Sequence, residues 1–578
     1  MLWQPNVSYE FGPFRIDARE RRLWRDGEVV PLRPKVFDVL LALVQNSDHV
    51  MSKDEMMKLV WHDTVVEEGN IARNISSLRT ALGEHPREAK CIETIPWRGY
   101  RFIANVKEVR DEIRRSSLGS MAVLPFVNVV SDPDLDYLAD GIAETLINNL
   151  SQLTQLKVMS RNTSFRYKGC DADALIVGRQ LRVEALLTGR VVRHDDLLSI
   201  SVELVDAQDG SHLWGAQYIR QPSDVFAVQN EIARQITDQL RLKLSGEEQQ
   251  RLAKRHTENA AAYQDYLKGR FFFHKLTVDG VQKGIDYHKH AVRKDPNFAL
   301  AYAGLADCYN YLAEPNEAKQ AISRAIELDE TLGEAHATRG FFRWVYDWDF
   351  AGAEKDLKRA VELNPNYAEA HHWSAIYFAN VGRHEEAAAE ARKAVERDPL
   401  SLMMNMTFGL TAYMARDYQR AIAELRNVLD MDSTFVAAHS VLGNSYLQDG
   451  QFDKAMAEYE KVLELSKGVT PVETSMKAVI AHAYVKTGKR AKAKKLLNEL
   501  LASSENSEQT TPPVGLSPHS VAEIYGALGR KDEAFAWLDK AYDQHDMQMV
   551  SLKVNPTLDP LRSDQRFVEL VRRVELPE

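Results

Sequence analysis

Cysteine is scarce in this chain, and no long uninterrupted apolar segment occurs in it. The three cysteines, Cys91, Cys170 and Cys308, lie far apart in the 578 residues and show no C-x-x-C spacing. This pattern argues against a zinc site and favours a reducing compartment. No stretch approaches the roughly 18 consecutive apolar residues of a membrane helix, and no signal peptide is recognisable. We therefore expect a cytoplasmic protein that has no membrane span and binds no metal.

Motifs that supply catalytic chemistry are also missing. The sequence has no G-x-x-x-x-G-K-[ST] phosphate loop, no G-x-G-x-x-G, no H-E-x-x-H and no G-x-S-x-G. Scattered Asp and His residues cannot replace these fixed spacings. We therefore predict that the protein is not an enzyme, with no catalytic residues and no cofactor. An enzyme would need an unrecognised site in the middle of the chain.

Positive charge is concentrated in one segment near the N-terminus. The chain as a whole is 44% hydrophobic and 27% charged with a net charge of -10, which indicates a soluble protein of three or more domains. Acidic and basic residues balance over residues 1–106, but basic residues outnumber acidic ones over 69–106. Any binding to nucleic acid is therefore expected from this segment.

This segment opens with a predicted amphipathic helix. Its apolar residues recur at steps of four, three and four: Ile71, Ile75, Leu78 and Leu82. The opposite face carries short hydrogen-bonding side chains and one arginine: Asn70, Arg73, Ser77 and Thr80. Small side chains allow a helix to enter the major groove of DNA, where Arg and Asn donors reach base edges. The alternative is an ordinary surface helix, whose outer face is also polar.

The elements around this helix are predicted from local patterns. Residues 32–46 carry a helical apolar stripe, and Ser52 and Glu55 have the spacing of a capping box that opens a second helix. Residues 11–30 alternate apolar and polar positions around a turn at 26–27, which indicates a small antiparallel sheet. Residues 91–103 indicate a hairpin that contains Gly99. The predicted order is therefore sheet, three helices and a C-terminal hairpin.

This order resembles the OmpR/PhoB-type winged helix over roughly residues 7–106, through LRPKVFDVLLALV, SKDEMMKLVW, NISSLRTALG and ETIPWRGYRF. The resemblance implies that the third helix lies in the major groove and that the hairpin, the wing, reaches the minor groove. The implied DNA-binding residues are Asn70, Arg73, Asn74, Ser77, Arg79, Arg98 and Arg101. Of these, Arg79 is expected to face phosphate. Arg101 is expected in the minor groove, where a narrow groove concentrates negative potential.

The resemblance also implies how such a domain works on DNA. Few basic residues imply few released counterions and modest affinity for one copy. We therefore expect two copies on paired half-sites, with direct repeats implied by the head-to-tail pairing of the family. The loop at 62–69 is implied to contact RNA polymerase. Since the domain begins near residue 7, we expect no preceding receiver domain and no activation by aspartyl phosphorylation.

The second half of the chain is repetitive. Asp295, Asp329, Asn364, Asp398 and Asp432 are spaced 34, 35, 34 and 34 residues apart, the period of tetratricopeptide repeats. The resemblance is strong over 263–466 and continues less regularly, which predicts about eight helical pairs within 246–578. Residues 503–518 are rich in Ser, Thr and Pro and predict a long loop.

Such an array offers a concave surface for recognition of an as yet undefined protein or signal. The alternative is that the array only spaces or dimerises the chain. Three histidines, His336, His371 and His439, share one position of the repeat. Because successive helical pairs place them too far apart for one ion, we interpret each as packing within its own repeat.

Residues 117–245 form a separate predicted α/β domain, reached through a charged linker at 107–116. Its segments MAVLPF, DYLADGIAETLINNLSQL, SRNTSFRYKG and LVDAQDGSHLWGAQY resemble the TolB-like amino-terminal domain of bacterial regulators. Strands are predicted at 121–126, 157–160, 185–192, 197–205 and 212–218, with helices at 138–153, 173–181 and 224–244. The domain could bind a small ligand or mediate assembly. Polar residues near its second strand, Ser160, Arg161, Ser164 and Arg166, suggest either an anion pocket or a solvated strand end.

The predicted fold is therefore multidomain: an α+β winged helix at 1–106, an α/β TolB-like domain at 117–245 and an all-α tetratricopeptide superhelix at 246–578. This architecture resembles that of CadC-type and HilA-type regulators without a membrane span. It implies a bacterial transcriptional regulator that reads promoter DNA, forms a homodimer there and binds a partner or signal through its repeats. The alternative is a tetratricopeptide scaffold or adaptor with a vestigial winged helix.

Overall fold

The computed structural model describes residues 7–17, 22–25, 28–60, 69–84, 90–110, 118–129, 133–170, 173–240, 242–505 and 516–577. The chain divides into two compact units, Met1–Ser117 and Leu118–Glu578. Each unit contains a hydrophobic core of its own. None of the helices in these ranges combines the length and the apolar character needed to cross a bilayer.

The described residues of the first unit form two antiparallel sheets and three helices. Its strands are β1 (Val7–Phe11), β2 (Phe14–Asp17), β3 (Arg22–Arg25), β4 (Glu28–Val30), β5 (Val50–Ser52), β6 (Ile92–Ile95), β7 (Gly99–Phe102) and β8 (Lys107–Arg110). Its helices are α1 (Pro34–Gln45), α2 (Lys53–Val60) and α3 (Gly69–Leu82). The sheets have the strand orders β4-β3-β2-β1-β8 and β5-β7-β6.

Local patterns determine most of this unit. Alternation buries Phe14, Ile16 and Leu23 against the helices. The predicted turn at 26–27 lies outside the described residues, but β3 and β4 on either side of it pair as a hairpin. The capping box is confirmed, because the Ser52 backbone N–H donates to Glu55 Oε2 at 2.8 Å and the Glu55 N–H donates to Ser52 Oγ at 3.2 Å.

The predicted linker begins later than the sequence suggests. Lys107–Arg110 form β8, which pairs antiparallel with β1 and places Lys107 opposite Glu10. The partner strand lies about one hundred residues away, so no local pattern marks these charged residues as a strand. The rest of the predicted linker, 111–116, lies outside the described residues.

The second unit begins with a sheet domain. Its strands are β9 (Ser120–Val123), β10 (Val127–Asn128), β11 (Lys157–Val158), β12 (Ala185–His194), β13 (Leu197–Asp206) and β14 (His212–Arg220). Its helices are α4 (Pro133–Ser151), α5 (Arg161–Phe165), α6 (Ala174–Leu181), α7 (Val225–Gln239) and α8 (Gly246–Ala253). The sheet order is β11-β9-β12-β13-β14, with β10 beside β12. The first three strands of this order run parallel and the last three antiparallel, so the domain contains a mixed sheet.

Three predicted elements of this domain are shorter than expected, and the strand predicted at 121–126 ends at Val123. The strand predicted at 157–160 ends at Val158, because Ser160 instead caps α5 by accepting a hydrogen bond from the Thr163 N–H. Arg161 therefore lies neither in an anion pocket nor at a solvated strand end, since its Nε donates to Glu144 Oε2 at 2.9 Å. The helix predicted at 224–244 ends at Gln239.

Within the described residues, eight consecutive helical hairpins follow. Their helices are α9 (Ala260–Phe273), α10 (Val278–Lys294), α11 (Ala299–Tyr311), α12 (Pro315–Leu328), α13 (Gly333–Val345), α14 (Phe350–Leu363), α15 (Ala368–Asn380), α16 (His384–Arg397), α17 (Leu402–Met414), α18 (Tyr418–Met431), α19 (Val436–Gln448), α20 (Phe452–Leu465), α21 (Thr470–Lys486), α22 (Arg490–Glu505), α23 (Pro518–Ala527) and α24 (Lys531–Asp543). The predicted loop at 503–518 is shortened by α22 and α23, and its centre, 506–515, lies outside the described residues. Two 3-10 segments and α25 (Gln565–Arg573) end the chain.

The repeated histidines pack within their own hairpins, as predicted. In each, Nδ1 contacts a carboxylate on the second helix and Nε2 contacts a backbone carbonyl six residues earlier. The sets are His336 with Asp356 and Glu330, His371 with Glu390 and Pro365, and His439 with Glu458 and Ser433. Each histidine therefore links the two helices of one repeat to the turn that precedes it.

Candidate nucleic-acid interface

Helix α3 packs against the hydrophobic core of the first unit through its predicted apolar stripe. Ile71, Ile75 and Leu78 are at most 1% exposed, and all three belong to the core that α1 also enters. Arg73 and Ser77 are exposed on the other side, whereas Asn70 and Asn74 are half-buried. The periodicity of the sequence therefore predicts correctly which face of α3 meets solvent.

Most polar side chains on the outer face bond back to their own helix. Asn74 Nδ2 donates to the Asn70 carbonyl at 2.8 Å, and Ser77 Oγ donates to the Arg73 carbonyl at 3.0 Å. These bonds use donors of Asn74 and Ser77 and leave their oxygens available as acceptors. The Arg73 side chain has no hydrogen bond or ion pair within the described part of the chain. Its guanidinium is therefore a free donor group on this face.

Arg79 has a different environment from the one predicted. Its Nη2 donates to the Ile92 carbonyl at 2.9 Å and to Thr94 Oγ1 at 2.8 Å. Glu84, just beyond the end of α3, accepts from the backbone N–H groups of Lys90 and Cys91. Arg79 and Glu84 together therefore connect α3 to the start of the wing, a role that the sequence analysis missed.

The wing is the hairpin of β6 and β7. Its predicted glycine is required, because a Cβ atom at Gly99 would lie 1.9 Å from the Met51 carbonyl oxygen on β5, and the Gly99 φ angle is +152°. The turn is closed by the Arg98 N–H, which donates to the Ile95 carbonyl at 3.1 Å. Trp97 stands at the turn with a φ angle of +64°.

The two wing arginines differ in their surroundings. Arg98 is exposed and makes no side-chain bond within the described ranges. Arg101 is half-buried, and its Nε donates to Glu93 Oε2 at 3.0 Å while its Nη2 lies 2.5 Å from the same oxygen. The sequence analysis missed Glu93. Since Ile95 pairs with Gly99 in the hairpin, counting two residues further along each strand would have placed Glu93 opposite Arg101.

Cys91, beside the wing, is not reactive. Burial and the neighbouring Glu84 carboxylate raise the pKa of its thiol to about 12, so the thiol stays protonated at neutral pH. The wing and α3 can therefore contact a partner through hydrogen bonds and positive charge, but not through a thiolate. Three helices followed by a hairpin that presents arginines define the winged-helix class of DNA-binding domains.

Comparison with protein families agrees with this class. Residues 27–102 match the family described as transcriptional regulatory protein, C terminal. Residues 116–235 match the second domain of HilA/YgeH-like transcriptional regulators. Residues 299–332, 348–401 and 412–469 match tetratricopeptide repeats. The chain thus has the architecture of a DNA-binding transcriptional regulator with tetratricopeptide repeats.

Individual relatives cover parts of the chain. It is 24% identical over 419 residues to the transcriptional regulator HilA of Salmonella typhimurium, a match that covers 70% of this chain and 72% of HilA. It is 35% identical over 221 residues to putative adenylate cyclase 3 of Rhizobium meliloti, which covers 37% of this chain and 38% of that protein. Among solved structures, the DNA-binding domain of CadC from E. coli is similar at 28% identity and a TM-score of 0.17, covering 19% of this chain and all of that domain.

Proposed function

We propose that this protein is a sequence-specific regulator that reads promoter DNA with α3 and the wing. Residues Asn70, Arg73, Asn74 and Ser77 contact the major groove, and Arg98 and Arg101 contact the minor groove. Arg79 contributes chiefly by holding the wing against α3, because its Nη2 group is already bonded to Ile92 and Thr94. This assignment differs from the phosphate contact predicted for Arg79 from the sequence.

One observation carries this proposal. Arg73 lies near the middle of the exposed face of α3, and its guanidinium has no partner among the described residues. A free guanidinium on a helix whose neighbouring side chains are short can make a bidentate contact with guanine in the major groove.

Substitution of Arg73 tests the proposal. The full-length Arg73→Ala protein should bind its cognate fragment more weakly by about 1–3 kcal/mol, because one base contact is lost. Discrimination between cognate and unrelated duplex should fall as well. Fluorescence anisotropy with fragments selected from genomic DNA measures both quantities.

The matched control is Arg15→Ala, which removes the same charge from β2 in the other sheet of the first unit. It should leave both quantities close to those of the unsubstituted protein. Equal affinity and equal sequence preference for Arg73→Ala and the unsubstituted protein would remove Arg73 from the reading surface.

The remaining roles follow from the same proposal. Two copies bind paired half-sites, the segment at 62–69 contacts RNA polymerase, and the repeat array binds a protein or signal. Residues 62–68 of that segment lie outside the described residues. The sheet domain is a TolB-like module that passes this signal on. The cytoplasmic location stays a prediction. We propose no enzymatic activity, because the sequence has none of the catalytic motifs sought and the adenylate cyclase relative is matched over 38% of its length.

A further inference from the structure

Trp97 stands at the tip of the wing with its side chain entirely in solvent. Its relative exposure is 105%, whereas every other tryptophan that the structure describes is buried or half-buried. No ring contact or hydrogen bond of its indole occurs within these ranges. A single exposed aliphatic residue needs no explanation, but a tryptophan held in this way leaves a large apolar surface without any contact.

The turn holds Trp97 in place. A bulky residue with a φ angle of +64° is uncommon and occurs where the surrounding structure fixes it. Pro96 precedes it and restricts the backbone, and the bond from the Arg98 N–H to Ile95 closes the turn behind it. Gly99 is fixed against Met51. Because the backbone is already ordered, the indole can bind a partner at a lower entropic cost.

The charge around Trp97 indicates what kind of partner it fits. Arg98 is adjacent, exposed and unpaired within the described residues, and Arg101 lies on the following strand. A partner that is anionic on the outside and apolar within suits an indole beside a free arginine. Duplex DNA meets both conditions, since its phosphates line the groove and its stacked base pairs accept inserted apolar side chains.

We propose that the indole of Trp97 enters the minor groove beside Arg98, wedges into the base stack and bends the duplex. The inference rests on the proposed function, because it needs the wing to lie on DNA. Insertion opens a base step and widens the groove toward the protein. Sequences whose steps unstack easily, such as TA and CA, are then preferred beneath the wing although no side chain hydrogen-bonds to them.

Full-length Trp97→Ala tests this proposal against Arg98→Ala. Trp97→Ala should weaken binding to a selected fragment about tenfold with an unchanged slope of log K against log salt, because an indole releases no counterion. Arg98→Ala should instead reduce that slope by about one. With 2-aminopurine placed at the step beneath the wing, the unsubstituted protein should raise its fluorescence and Trp97→Ala should not. Energy transfer between the duplex ends should show less bending with Trp97→Ala.

Trp97→Phe is the conservative control and should retain most of the affinity and the bend. The position is exposed, so circular dichroism should show that all three variants fold. Unchanged affinity and bend with Trp97→Ala would overturn the proposal, as would weaker binding without a change in 2-aminopurine fluorescence. If the unsubstituted protein binds no duplex at all, the proposed function itself fails, which is a separate result.

Discussion

At the scale of single residues, the buried histidine His288 shows how closely the repeats are packed. Its ring on α10 is fully buried between two glycines of neighbouring helices, Gly269 and Gly304. A Cβ atom at these positions would lie 2.6 Å and 2.5 Å from ring atom Cε1. Neither ring nitrogen has a partner in the described part of the chain. Burial, together with nearby Arg270, lowers the pKa of His288 to about 3.

This environment predicts a pH dependence. His288 stays neutral in the folded chain but takes up a proton below its usual pKa of 6.5 when unfolded. The stability it contributes is therefore complete above pH 6.5 and is lost as the pH falls toward 3. The free energy of unfolding of the unsubstituted protein should fall between pH 7 and pH 5. In His288→Leu this fall should be smaller by about 2 kcal/mol.

Denaturant unfolding at several pH values measures this difference between the two proteins. Only the difference in pH dependence between the two proteins tests the protonation of His288, since the substitution also changes stability by altering the packing. Parallel curves for the unsubstituted protein and His288→Leu would show that His288 is protonated equally in the folded and unfolded chains.

At the scale of secondary-structure elements, the wing contains an internal ion pair. Glu93 on β6 and Arg101 on β7 are cross-strand partners, and both side chains are 38% exposed. Glu93 therefore competes with DNA for the guanidinium that the minor groove is proposed to receive. Because the carboxylate would also repel nearby phosphates, we expect the pair to weaken non-specific binding.

Glu93→Gln should release Arg101. We expect several-fold tighter binding to any duplex and a slope of log K against log salt that steepens by up to about one, because one more cation meets the phosphate field. Anisotropy titrations with selected and random duplexes over a salt series measure both effects. The control is Glu10→Gln, which alters the residue opposite Arg15 in the other sheet. Identical titrations for Glu93→Gln and the unsubstituted protein would exclude Arg101 from contact with DNA.

Elements fixed by neighbouring residues were predictable from the sequence. The capping box of Ser52 and Glu55, the stripe of α3 and the hairpin around Gly99 each depend on spacings of a few residues. Contacts between distant segments were not predictable. Strand β8 depends on pairing with β1, and Arg79 depends on carbonyls that the fold brings to the end of α3.

At the scale of the whole molecule, the sheet domain and the repeat array of the second unit are joined by buried polar contacts. Asn366 Nδ2, in the turn before α15, donates to the carbonyls of Ser151, Leu153 and Leu156 at 2.9, 3.3 and 2.7 Å. Thr163 Oγ1 donates to Asp398 at 2.6 Å. The sheet domain and the repeat array are therefore joined by a continuous packed structure rather than by a free linker.

Buried charges strengthen this junction. Glu144 of the sheet domain contacts Arg161, Arg270 on α9 and His274 at the C-cap of α9, at 2.9 to 3.0 Å. Burial alone would raise the pKa of Glu144, but these three neighbours lower it well below its usual value. The carboxylate therefore stays charged and paired. The contact between the sheet domain and the repeats could not be predicted from the repeat period, and neither could the Glu144 cluster. Both bring together residues more than one hundred positions apart in the sequence.

The most direct test of the account is selection of genomic fragments by the full-length protein, followed by affinity measurements over a salt series. We expect the protein to enrich fragments that carry paired direct repeats and to protect both half-sites. Its preference for these fragments over random duplex should persist as salt is raised. Failure to enrich any sequence, with no preference for duplex even in dilute buffer, would contradict the account.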